Sequence, residues 1–225
     1  VTGVQTCALP ILKRCLCLIS LLFNISFISC QNYESIHQVV PKKNNDIASI
    51  TLYSYDGKSE SKYFIPSYGH TFLEITNLSN EEIILYYQII QPQESIVFSW
   101  WAIDVHMGIW FNIEPYYIYY YNRYDTRYST TIYMNHDDLD MVNIYLQTND
   151  KYDPLNNCSK MALKCWNLVA EKSEKIDILF LTTPTYVVRN IKTFDSFSYI
   201  KSLNNKGSIG FVDNQVFNEY KMEIK

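Results

Sequence analysis

Cys158 stands in LNNCSKMALKCWN (Leu155–Asn167), directly behind Asn156 and Asn157, where an apolar stripe of helical period begins. A thiol attacks a carbonyl carbon only as thiolate, and the first turn of a helix favours that form through its unbonded N–H groups and its dipole. Asn157, with Asn156 as the alternative cap, would fix where the helix starts, and the N–H groups behind it would then receive the oxyanion formed on attack. The opposing reading is structural. Cys158 shares its stripe with Ala162 and Trp166, and a cysteine there also serves as small apolar filler. His70, in YGHTFLEITN, opens a strand-like stretch directly after Gly69, where an imidazole would project from a sheet edge into a cleft. Such a ring takes a thiol proton and later returns it to a leaving group.

These two residues need elements to hold them. From Ile50 the chain reads as strands: ITLYSYD, KYFIPSYGHTFLEITN and EEIILYYQIIQ, the last two joined at Asn77–Asn80 as an antiparallel hairpin. SIVFSWWAI and GIWFNIEPYYIYYY continue the pattern with β-branched and aromatic residues. The helical signal begins later. Asn135 caps a stripe of Leu139, Val142, Tyr145 and Leu146, with Asp137 and Asp138 at the positive end of the dipole. A second helix starts near Asn157, and a third at Thr183–Pro184 carries Val187, Val188 and Ile191. The tail GSIGFVDNQVFNEYKMEI reads as a closing strand or loop. Strands first and helices later define an α+β domain: an antiparallel sheet or partial barrel packed against a few helices.

His70 in GHTFLEITN upstream of Cys158 in NNCSKMALKCWN resembles the circularly permuted branch of the papain-like, NlpC-type cysteine hydrolases, to which lecithin retinol acyltransferase is similar in chain order. Ordinary members place the cysteine helix before the histidine strand; here the order is reversed. GIWFNIEPYY and TPTYVVRNI are also similar to stretches of exported bacterial domains. The resemblance spans roughly Ile50–Thr193. It implies Cys158 as nucleophile, His70 as base, and a third polar residue that orients the imidazole. Gln88, across the expected hairpin from His70, and Asn112 and Glu114, on one face of a later strand, are the candidates. No cofactor and no metal are expected: His106 and the His136–Asp138 stretch lack the HExxH spacing, and there is no phosphate-cradling glycine loop or dinucleotide fingerprint.

The compartment is read from the first residues. Val1–Ile11 resembles a translated sequencing adapter and carries no fold information. In residues 12–30, Lys13 and Arg14 precede a short apolar run ending at Ser29-Cys30, the parts of an export signal. FISC resembles a lipobox, in which Cys30 would carry a lipid anchor; plain cleavage and release is the alternative. Residues 31–48 read as a polar tether and 49–225 as the papain-like domain. The chain holds 19 basic and 23 acidic residues, and two of the basic ones fall in the leader. That balance argues against nucleic acid as a partner. Beyond the leader only Cys158 and Cys165 are left, about 10 Å apart along one helix and too far to bridge. Two functions are expected: an exported or surface-tethered thiol amidase or peptidase, for which the resemblance implies cell-wall peptides as substrate, with thioesters, lipid esters and acyl transfer open to the same pair, or a non-enzymatic surface-binding domain that uses the tyrosine-rich segment near residue 119.

Overall fold

A central strand fixes the arrangement. β1 (Ala48–Tyr55) is buried along its whole length and alternates Ile50 and Leu52 toward one face with Tyr53 and Tyr55 toward the other. β2 (His70–Asn77) pairs with it in the register Leu52↔Leu73 and Ser54↔Thr71, so Thr71, Leu73 and Ile75 share the first face while His70, Phe72 and Glu74 share the second. The computed structural model describes residues 43–57, 69–199, 202–203 and 207–222. The expected leader with Cys30, the first part of the tether and residues 62–68 of the expected strand stretch lie outside the described residues. β1 already begins at Ala48, and the Ile47 N–H bonds to Met134 O at 2.9 Å, so the last expected tether residues belong to the sheet.

The remaining strands are β3 (Ile83–Leu85), β4 (Gln88–Ile90), β5 (Ser95–Ile103), β6 (His106–Phe111), β7 (Tyr128–Met134), β8 (Ser198–Tyr199), β9 (Gly210–Asp213) and β10 (Val216–Glu219). Eight of them form one antiparallel sheet in the order β10-β9-β6-β5-β2-β1-β7-β8. Among the described residues four helices accompany it: α1 (Ile113–Tyr121), α2 (His136–Thr148), α3 (Cys158–Val169) and α4 (Pro184–Ile191). The protein is therefore an α+β domain with an antiparallel sheet.

The main core lies between the first face and helices α2, α3 and α4. Leu52, Leu73, Ile75, Phe98 and Trp100 meet Val142, Ala162, Trp166, Val187 and Ile191 there. Fully burying one such side chain contributes about 1.5–3 kcal/mol. The three helices start where their caps place them. Asn135 and Asp138 form a reciprocal capping box, Asn157 accepts from Lys160 N, and Thr183 accepts from Tyr186 N ahead of Pro184.

Two expectations are corrected. EEIILYYQIIQ does not extend a hairpin with β2; β3 and β4 pair with each other through a turn in which Tyr86 and Tyr87 both have positive φ, 43° and 66°. β2 takes β5 as its second neighbour. The stretch after β6 is not a strand. Asn112 turns the chain in the left-handed region at φ 63°, α1 follows, and Asn122 ends it at φ 48°. Pro115 falls in the first turn, where the missing N–H costs nothing. Tyrosine's preference for strands loses to these boundary residues.

Candidate active site

The sheet opens where the site forms. β2 and β5 pair only from Leu73↔Phe98 to Thr76↔Ser95, so His70, Thr71 and Phe72 have no ladder partner on that side. The start of α3 meets β2 beside this gap. Gly69 lets the strand begin there: a Cβ on it would strike Tyr55 O and stand 2.8 Å from Pro184 Cβ at the start of α4. Chain passage between β1 and α4 thus sets the position of His70.

The Cys158 sulfur is hydrogen-bonded to the imidazole of His70. His70 Nε2 is committed to Glu114 Oε1 at 2.7 Å, so the sulfur is served by Nδ1. Glu114 is buried in the first turn of α1, and the same Oε1 accepts from Trp101 Nε1 at 2.9 Å and from the Ser99 hydroxyl. Its Oε2 is buried with no hydrogen-bond partner among the described residues. The imidazole sits among aromatic rings, with Trp101 at 4.5 Å, Tyr124 at 5.6 Å and Phe72 at 5.9 Å between centroids. Rings at that range favour a cation.

Burial alone would lower the proton affinity of His70. The neighbouring sulfur and its hydrogen bond, then Glu114, outweigh burial and raise the ring to about 10. Burial also pushes the Cys158 thiol up. The charge of His70 and its hydrogen bond, the Thr71 backbone N–H and the Ser159 hydroxyl together reverse that and bring the thiol below its ordinary value. The two directions agree on one species: thiolate beside imidazolium, with the sulfur at the first residue of a helix whose dipole favours the negative charge. Cys158 is partly exposed, whereas Cys165 is buried and its thiol is pushed up by burial alone. Cys158 is not core filler like its stripe partners Ala162 and Trp166.

The other candidate residues fall elsewhere. Gln88 lies in β4, at the turn end of the β3–β4 ribbon, opposite Leu85. Asn112 holds loops together: its Oδ1 accepts from Val97 N at 3.1 Å and its Nδ2 donates to Ser208 O at 2.9 Å. Asn157 caps α3 through Oδ1 and donates through Nδ2 to Thr182 O at 3.0 Å, so its side chain is spent on the scaffold. The N–H groups of Cys158 and Ser159, in the first turn of α3, have no partner within the helix. Sequence reasoning missed Ser99 and Trp101, although strict alternation in SIVFSWWAI sets both on one face of β5. It also missed that His106 Nε2 bonds Asp150 Oδ1 at 3.1 Å, which ties β6 to the end of α2.

No protein-family model, curated protein or solved structure matches this chain.

Proposed function

We propose that this chain is an exported cysteine hydrolase of permuted papain-like architecture, cleaving amide bonds of cell-wall peptides through Cys158, His70 and Glu114. The observation that carries the reading is the continuous set of bonds from the Cys158 sulfur through the His70 ring to the buried Glu114 carboxylate. Nucleophile, base and orienting acid stand in sequence, with the base held by the third group. Attack forms the S–C bond and moves the carbonyl π electrons onto oxygen, where the helix N–H groups receive the charge. The imidazolium gives its proton to the departing amine as the C–N bond breaks. His70, now neutral, takes a proton from water, whose hydroxide attacks the thioester and frees the acid and the thiolate. Glu114 keeps the ring in one orientation and balances its charge in the cationic steps.

A second reading has one observation behind it. Leu155, Phe180 and Leu181 are exposed near the start of α3, and the loop carrying the last two is bonded to the Asn157 cap through Thr182 O. An apolar rim of this kind suits an acyl group, and the same pair performs thioester hydrolysis or acyl transfer.

The test is release of soluble peptide from purified cell wall by the full chain, with a parallel assay on acyl thioesters. Cys158→Ala is expected to abolish release, and His70→Ala to reduce it about 10²–10⁴-fold. Peptide release undiminished in Cys158→Ala rules the mechanism out. Turnover of the thioester alone moves the assignment to the second reading.

A further inference from the structure

Beneath the sulfur, on the face of the sheet away from Glu114, three buried hydroxyls form a line. Ser159 Oγ lies 2.8 Å from Thr71 Oγ1, Thr71 Oγ1 lies 2.9 Å from Ser54 Oγ, and Ser54 Oγ lies 3.0 Å from the Pro184 carbonyl. All three residues are fully buried. At its upper end Ser159 also bonds the Cys158 sulfur. The line thus has four links from sulfur to the Pro184 carbonyl, with a longer branch from Ser54 Oγ to His70 O at 3.5 Å, and three hydroxyl hydrogens to fill them.

That count has four solutions, one for each link left empty, and two of them run in one direction throughout. When the sulfur holds its own proton or carries an acyl group, all hydroxyls can point away from it: Ser159 to Thr71, Thr71 to Ser54, Ser54 to Pro184 O. When the sulfur is an anion it only accepts, and the line reverses: Ser54 to Thr71, Thr71 to Ser159, Ser159 to sulfur. Reversal leaves the Ser54–carbonyl contact as the empty link, a loss at the far end from the charge. Hydrogen bonds in one direction polarise each other, and bonds to an ion are about twice as strong as neutral ones.

We propose that Ser159, Thr71 and Ser54 are positioning residues, a reversible hydroxyl chain that turns toward the Cys158 sulfur when it is charged and toward the Pro184 carbonyl when it is not. The chain supports the nucleophile from the side opposite His70 and Glu114, and it rests on the reading of Cys158 as nucleophile. Thr71 acts twice, because its backbone N–H also donates to the sulfur and fixes that atom against the strand.

The experiment is the pH profile of Cys158 alkylation by iodoacetamide in the full chain, with peptide release measured on the same variants. Ser159→Ala is expected to move the half-point of the profile upward by roughly one unit, as loss of one hydrogen bond to a charge implies, and Thr71→Val to move it upward by less, because that hydroxyl reaches the sulfur only through Ser159. Thr71→Ser keeps the hydroxyl and is expected to keep the half-point; Ser54→Ala is expected to move it less than Ser159→Ala. Should Thr71→Val fail to fold, Ser159→Ala carries the expected upward shift alone. Half-points unmoved in Ser159→Ala and Thr71→Val overturn the proposal, even where peptide release persists. Shifted half-points in a chain that releases no peptide uphold the hydroxyl chain and remove the hydrolase.

Discussion

Glu114 gathers three donors on one oxygen, and that concentration decides what a substitution there does. Glu114→Ala strands the His70, Trp101 and Ser99 donors in a buried space and is expected to cost about 1–3 kcal/mol for each donor that finds no water. Glu114→Gln keeps an accepting oxygen and puts an N–H₂ where Oε2 now lies unpartnered. Its stability should stay within about 1 kcal/mol of the parent in urea titration. The lost charge acts on His70 instead. The ring is held at about 10 partly by that carboxylate, so the alkaline limb of peptide release should move to lower pH in Glu114→Gln. A limb that stays near 10 would mean the sulfur alone holds the imidazole proton.

At the scale of elements, Asn112 and Gly69 hold the pieces that carry the site. Asn112→Gly keeps the left-handed turn and loses the bonds to Val97 N and Ser208 O; Asn112→Ala loses both bonds and strains the turn as well. The alanine variant is expected to be the less stable of the two by about 1–2 kcal/mol in thermal or urea unfolding. Gly69→Ala has no room against Tyr55 O, a backbone atom that does not move aside, and should displace His70. Its alkylation of Cys158 should slow even where the fold survives. These elements also show what a sequence discloses. The starts of α2, α3 and α4 were legible because Asn135, Asn157 and Thr183 act on amides within three residues. α1 was read as strand because its tyrosines favour strands, although asparagines at 112 and 122 and a proline at 115 mark its ends. The β3–β4 ribbon was missed because its turn uses Tyr86 and Tyr87 rather than glycine or asparagine. Glu114 stayed one of three candidates because its contact with His70 crosses 44 positions and depends on the turn at Asn112. Local pattern says nothing about that.

The whole molecule carries a pH signature from the pair and from its buried tyrosines. The imidazole is raised, so its contribution is complete below the unfolded value of about 6.5 and is lost as pH rises through about 10. The thiol is lowered, so its contribution is complete above the unfolded value of about 8.5 and is lost as pH falls through its folded value. Above the thiol's folded value and up to about 8.5 the two slopes cancel, because one proton moves from sulfur to ring on folding. From about 8.5 to 10 the imidazole slope is unopposed and the buried Cys165 thiol, raised by burial, adds a second, so stability should fall by about 2.7 kcal/mol per pH unit. Above about 10, Tyr53 and Tyr124 add to the decline, since burial raises both and the unfolded chain ionises them first. Urea midpoints across pH 7 to 10.5 test this. The parent should fall from about 8.5 upward about twice as steeply as the double variant His70→Ala, Cys158→Ala, which keeps only the slope of the buried Cys165 thiol until the tyrosines join above about 10; equal slopes would show that no proton is shared by the pair.

The most direct measurement is the rate of Cys158 alkylation against pH, with buried Cys165 as the internal reference and His70→Ala as the comparison. A thiolate held by an imidazolium should give a half-point well below the ordinary cysteine value of about 8.5, moving up when the ring is removed. A Cys158 that titrates at or above about 8.5, and does so equally with and without His70, contradicts the account.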